Sequence, residues 1–171
     1  MNVVITLPEH LIKAIIAGEK FCEIRANRPL HFDRKKDVVF VVQKSTKKVP
    51  LYFTIEYIFQ FSFSNNRTTK TEKYLAEKAA VSIDYIKNYR KGKEKIYAWV
   101  IGCACKVSDP IYLYTDLKIE KNPQSFIYRN YEWRKVHFKS YVLLEKIHTL
   151  KPAVEYKKYY RSLSSAKPST L

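Results

Sequence analysis

The run "VPLYFTIEYIFQFSF", Val49 to Phe63, limits the fold more than any other stretch of the chain. Its β-branched and aromatic side chains favour extended backbone and disfavour helix. Tyr52, Thr54 and Glu56 alternate with Phe53, Ile55 and Tyr57, which predicts one strand with two unlike faces. Such a strand needs partners on both edges, and the sequence supplies them. "NVVITL" (Asn2–Leu7), "KFCEIRA", "VVFVVQ" and "KIYAWVIGCACKV" all read as strands. "DPIYLY" reads as a further short strand, "KVHFKSYVLLEKI" as a last one, and "KNPQSFIYRNYEW" as an aromatic loop or turn.

Helical periodicity occurs twice. "PEHLIKAIIAG" puts Pro8 at a first turn, aligns Leu11, Ile12, Ile15 and Ile16 on one face, and stops at Gly18. The segment 64–94 reads as two helices broken near Val81–Ser82, with Ser82 as N-cap and Gly92 as the stop. Strands with an early helix and a helical insert give an α+β domain. Five or six strands around one core are expected to close as a small curled sheet or barrel. Residues 1–140 form that domain, and 141–171 a C-terminal extension whose end is basic and rich in Ser.

Charge sets the function classes. The 171 residues carry 32 Lys+Arg against 16 Asp+Glu, a formal +16. An AT-rich codon bias would raise lysine but gives no reason for bases to outnumber acids two to one. The surplus is spread: 10 bases against 6 acids over residues 1–60, 9 against 4 over 61–100, and 13 against 6 over 101–171. A surplus so distributed points to a polyanionic partner such as nucleic acid. Three basic–aromatic stretches, "YIKNYRKGKEK", "FIYRNYEWRK" and "YKKYYR", suit a single strand through phosphate neutralisation and base stacking.

Cys22, Cys103 and Cys105 show no disulfide-framework spacing and read as reduced thiols of a cytoplasmic protein, the last two sharing one strand face. The four histidines have no metal-ligand spacing, so neither a metal nor a cofactor is expected. "MNVVITLPEH" lacks the pattern of a signal peptide, and no apolar run reaches the roughly 18 residues that would span a membrane.

The octet "GEKFCEIR", Gly18 to Arg25, crowds charges of both signs at the helix–strand junction. Gly18 turns the chain, and Cys22 and Ile24 take one strand face while Glu23 and Arg25 take the other. A carboxylate between two cations is held by charge-assisted hydrogen bonds and can fix a guanidinium for use on a ligand. On spacing alone, the same octet reads first as a structural ion cluster that closes one end of a barrel, and second as a ligand site.

A helix followed by G-x-K-x-x-E-x-R at Gly18, Lys20, Glu23 and Arg25 resembles the signature of the ASCH domains, a branch of the PUA-like β-barrel superfamily. "YAWVIGCACKVSDPIYL" (Tyr97–Leu113) and "NPQSFIY" (Asn122–Tyr128) resemble later family segments in the family's order, so the likeness spans roughly residues 1–130. The resemblance implies a β-barrel with a cleft beside the motif that binds single-stranded RNA or DNA. Lys20, Arg25, Arg28, Ser125, Tyr128 and Arg129 would line its polar part, with Tyr97 and Trp99 as a stacking surface; barrel core is the competing place for both, and for Trp99 an equal one.

One ASCH branch removes an acyl group from N4-acetylated cytidine, using the motif lysine, a threonine three residues on and a glutamate from the helical insert. Lys20 matches the lysine, but Glu23 stands where the threonine belongs, and the glutamate position falls near Ala79, with Glu77 and Glu72 the nearest carboxylates. A catalytic set here would consist of Lys20 and Glu23, with Glu77 as third member. Another family member is a ribonuclease. A nucleic-acid-binding module is therefore the expectation, a hydrolase of RNA or modified cytidine the alternative. A phage or bacterial factor whose basic face meets a protein partner is the third, and the sequence leaves the oligomeric state open.

Overall fold

The two longest strands, β4 (Lys48–Ser62) and β5 (Lys95–Tyr112), pair antiparallel along most of their lengths and form the spine of the sheet. Residues 1–63, 68–130 and 146–148 of the computed structural model are described here. Among them the remaining elements are β1 (Asn2–Leu7), α1 (Glu9–Ile16), β2 (Cys22–Arg25), β3 (Val39–Gln43), α2 (Thr68–Ala79), α3 (Ile83–Arg90), β6 (Phe126–Arg129) and β7 (Lys146–His148). The strand order is β2-β5-β4-β3-β1-β6, with β7 pairing the far stretch of β5 at Ala104 and Cys105. All neighbours are antiparallel except β1 and β3, which run parallel. The arrangement is α+β, as expected.

Several local expectations are met for the reasons anticipated. Pro8 stands at the N-cap of α1, whose face of Leu11, Ile12 and Ile15 is buried. Gly18 adopts φ +74°, a left-handed conformation that a side chain would strain, and turns the chain toward β2. The Ser82 side chain accepts the Tyr85 N–H at 3.0 Å and starts α3. Cys103 and Cys105 place their Sγ atoms 3.8 Å apart on one face of β5, and none of the three thiols is in a disulfide.

Four expectations need correction. "KIYAWVIGCACKV" and "DPIYLY" are not two strands but the single strand β5. Its ladder jumps from Leu51↔Lys106 to Val49↔Ile111, so residues 107–110 bulge out of register without ending the strand. "SFIYR" is not loop: Phe126–Arg129 pairs with β1. Tyr57 does not share a face with Phe53 and Ile55, because irregularities between Phe53/Ile55 and Ile55/Tyr57 reset the alternation. Ile58 therefore joins the packing around Phe53 and Ile55, whereas Tyr57 and Phe59 turn to the opposite face. Finally, the sheet has seven strands among the described residues and does not close by backbone pairing; β2 and β6 occupy the two ends of its main path. Of the predicted last strand, residues 146 and 147 fall on β7, whereas 135–145, like "YKKYYR", lie outside the described residues.

The sheet's two faces are covered separately. α1 packs its apolar side on Val3, Ile5, Val39, Val41, Phe53 and Trp99. α2 and α3 bury Leu75, Ala76, Ala79 and Ile86 against Cys22, Ile24, Ala98 and Val100. β2 thus gives Cys22 and Ile24 to the helical pair, and Glu23 and Arg25 to the other face.

Candidate functional site

The open ends of the sheet meet through side chains. Arg25 of β2 donates from Nη1 to the Ser125 carbonyl, which immediately precedes β6, at 2.9 Å. Beside it, Trp99 packs edge-on against Phe126, and Phe126 against Tyr128, with ring centroids 5.2 and 5.7 Å apart. Tyr128 in turn packs on His31 and accepts the His31 backbone N–H, fixing the β2–β3 loop. These contacts close a seam that backbone ladders leave open.

The motif charges are stacked along this seam. Glu23 Oε2 is 3.1 Å from Lys20 Nζ, and its Oε1 is 2.9 Å from Arg25 Nη2. Lys20 also donates to the Ala79 carbonyl at 2.8 Å, while the neighbouring Lys78 carbonyl accepts the Phe21 N–H at 2.8 Å. Both carbonyls belong to the last turn of α2, where a cation and donors complement the unpaired C=O groups. All three charged residues are buried, Lys20 to 1% exposure. One carboxylate between two cations leaves a formal surplus of one positive charge in a region of low polarity, where an uncompensated charge is costly.

Glu23 and Arg25, but not Lys20, line a cleft of about 410 Å3. Its walls come from the end of β1 (Thr6, Leu7), the start of α1 (His10, Leu11), the α2–α3 junction (Val81, Ser82), Gln124, and Tyr85 and Tyr89 of α3. Those two tyrosines stand one helical turn apart and stack with centroids 6.0 Å apart. Tyr89 accepts the Ala26 N–H at 3.0 Å, whereas Tyr85 remains 48% exposed. Burial pushes both phenols above their usual pKa; Glu23 adds to the rise at Tyr85, while Arg25 opposes it at Tyr89. Two buried polar atoms among the cleft residues have no hydrogen-bond partner in the described structure: Arg25 Nε and Thr6 Oγ1.

The other sequence candidates separate into groups. Trp99 is fully buried in the core and offers no stacking face. It shares a sheet face with its partner Glu23 but is packed under Phe126 in the apolar core and lines neither cleft. Tyr97, opposite Arg25, is half-buried and lines a second cleft with Arg28. Ser125 enters through its carbonyl, not its hydroxyl. Arg129 donates to the carbonyls of Leu117, Lys118 and Tyr128, so its guanidinium anchors the preceding loop. Glu77 is no third member of a Lys20–Glu23 set: its exposed carboxylate pairs with Lys78 at 3.2 Å. Glu72 is buried against Arg90, between the two helices. Among the described residues no cluster of three metal-ligating side chains occurs, and no helix is long and apolar enough to cross a membrane.

Sequence reasoning missed Thr6, His10, Gln124 and Arg34. Thr6 and Gln124 reach the cleft only because β1 and the segment before β6 are brought beside β2, and no spacing within the chain announces that. Tyr85 and Tyr89 did carry a signal, since both lie in "YIKNYRKGKEK".

No protein-family model and no curated protein matches the chain. Solved structures do. A crystal structure of ASCH from Zymomonas mobilis superposes with a TM-score of 0.61 at 22% identity, covering 81% of this chain and 94% of that one. A serine-to-alanine variant of the same protein gives a TM-score of 0.65 over the same shares. A tyrosine-to-phenylalanine variant gives 0.61, with 97% of that chain covered. The likeness is one of fold, and the fold is that of an ASCH domain, as the sequence resemblance implies.

Proposed function

We propose that this ASCH-fold chain is a nucleic-acid-binding module that takes single-stranded RNA, or single-stranded DNA, in the seam cleft beside Glu23 and Arg25. The observation that carries the reading is the state of Arg25. Its two terminal nitrogens are held by Glu23 and the Ser125 carbonyl, while Nε has no partner among the described residues. An anion at Nε would satisfy that donor and offset the cluster's surplus positive charge in one contact. Tyr85 supports the same ligand, because an exposed ring backed by a second tyrosine is a platform for a base. In this reading Lys20 is a positioning residue that ties Glu23 to the end of α2. Glu23 orients the guanidinium, and Arg25 meets phosphate or a base edge.

A hydrolase of RNA or acetylated cytidine has less support, because neither insert carboxylate, Glu72 nor Glu77, lines the cleft. A protein partner for the basic surface is the remaining alternative. Fluorescence anisotropy with a labelled single-stranded oligoribonucleotide at low salt tests the reading. Arg25→Lys keeps the charge but removes Nε and the planar fork, and is expected to weaken binding by about tenfold or more. Wild-type affinity should fall steeply with salt. Binding that is absent in the wild type, or indifferent to Arg25→Lys, contradicts the proposal.

A further inference from the structure

One strand inward from Arg25, on the same sheet face, lies a second cleft of about 310 Å3 lined by Arg28, Arg34, Ile58, Gln60 and Tyr97. The ladder fixes its place. Arg25 pairs with Tyr97 and Tyr97 with Gln60, while in the next row inward Glu23 pairs with Trp99 and Trp99 with Ile58. Side chains of one cross-strand row share a face and sit one strand spacing, about 4.8 Å, apart. The seam cleft and this one are therefore consecutive along a single row.

The charged groups of the lining are all of one sign. Tyr97 and Ile58 lie on the apolar core and make the floor. Arg34 is fixed, donating from Nη1 to the Glu56 carbonyl at 2.9 Å with its guanidinium 5.8 Å from the Tyr57 ring centroid. By contrast the side chains of Arg28, Gln60 and Tyr97 make no hydrogen bond or ion pair with any described residue. No carboxylate is among the lining residues. Two guanidiniums, a carboxamide and a half-exposed phenol ring together fit a planar group joined to an anion.

We propose that this cleft is a second nucleotide subsite, so that the ligand is a strand of at least two nucleotides lying across both clefts rather than a free nucleoside or mononucleotide. The inference rests on the seam cleft being a nucleic-acid site. Tyr97 stacks on the second base, Arg28 and Gln60 meet its phosphate or base edge, and Arg34 supplies a fixed positive charge. An acidic peptide would bring the charge but nothing flat for Tyr97.

The test is a titration of the full chain with 5′-phosphorylated uridine and adenosine mono-, di- and hexanucleotides at low salt. In at least one base series the dinucleotide should bind about tenfold tighter than the mononucleotide. Arg28→Ala and Tyr97→Leu should each remove most of that gain, and Arg25→Lys should weaken every length. If the dinucleotide gains nothing, or both cleft variants keep the full gain, the second subsite is overturned while the seam reading stands. If no length binds, or Arg25→Lys binds all lengths normally, the seam reading fails and takes this inference with it. Equal displacement of the hexanucleotide by hexaglutamate also overturns the subsite, because it assigns the cleft to charge alone.

Discussion

At the seam cleft the cations are tied before any ligand arrives: Lys20, behind the lining, to Ala79 and Glu23, and the lining Arg25 to Glu23 and Ser125. In the second cleft Arg28 is exposed, with no partner among the described residues. Arg25 and Arg28 therefore differ as a fixed reader differs from an attractor, with the tied Arg34 adding a fixed charge beside Arg28. Burial raises the worth of each polar contact and holds its geometry, so Arg25 can discriminate how a phosphate or base edge is presented. Exposure keeps Arg28 hydrated and screened, so it contributes mainly attraction that salt removes. The same contrast separates what each residue does for the fold. The motif charges hold β2, α2 and β6 together, whereas the loop arginine holds nothing.

Stability should split along that line most strongly. Glu23→Gln leaves two buried cations facing a neutral amide, a loss of about 3–5 kcal/mol of unfolding free energy. Arg28→Ala should stay within about 0.5 kcal/mol of wild type. Urea or thermal unfolding of both variants measures this, and a mild Glu23→Gln would mean that the octet is not structural. A smaller effect concerns the tyrosine wall. Burial raises the folded pKa of Tyr85 and Tyr89 above that of the unfolded chain. Between those values the unfolded state binds fewer protons, so stability is full below about pH 10 and falls as pH rises through the folded pKa values. Tyr85→Phe should make that alkaline decline shallower, while a Phe substitution at exposed Tyr114 should not. Identical pH profiles would show that Tyr85 is not held against the cluster as described.

How much of this was legible before the structure depends on whether the relevant contact is local. Gly18, Ser82, the α1 face and the two sides of β2 follow from spacing within one element, and the structure keeps them. The octet's charge cluster was legible as a cluster because Lys20, Glu23 and Arg25 lie within six residues. Its division of labour was not, because Lys20 finds its second partner 59 residues away and Arg25 finds its own 100 residues away. The choice between core and cleft at Trp99 is hidden from the sequence for a related reason. Strand alternation puts it on the same side as Tyr97, but only the curl of the sheet decides which of the two ends under Phe126 and which stays near the rim. The β4 alternation fails where irregular pairing resets the register around Ile55; β4 carries no glycine there, and the one that marks the spot, Gly102 against Thr54, lies on the partner strand β5. β6 was hidden because "FIYR" is four residues long and sits among turn-forming neighbours.

Zero-length photo-cross-linking tests the central claim most directly. A single-stranded RNA substituted with 4-thiouridine is irradiated on the full chain, and the adducts are located by mass spectrometry. The account predicts adducts on the α3 peptide carrying Tyr85 and Tyr89 and on the β5 peptide carrying Tyr97, with the first set reduced in Arg25→Lys. Efficient cross-linking confined to residues outside both clefts would contradict it.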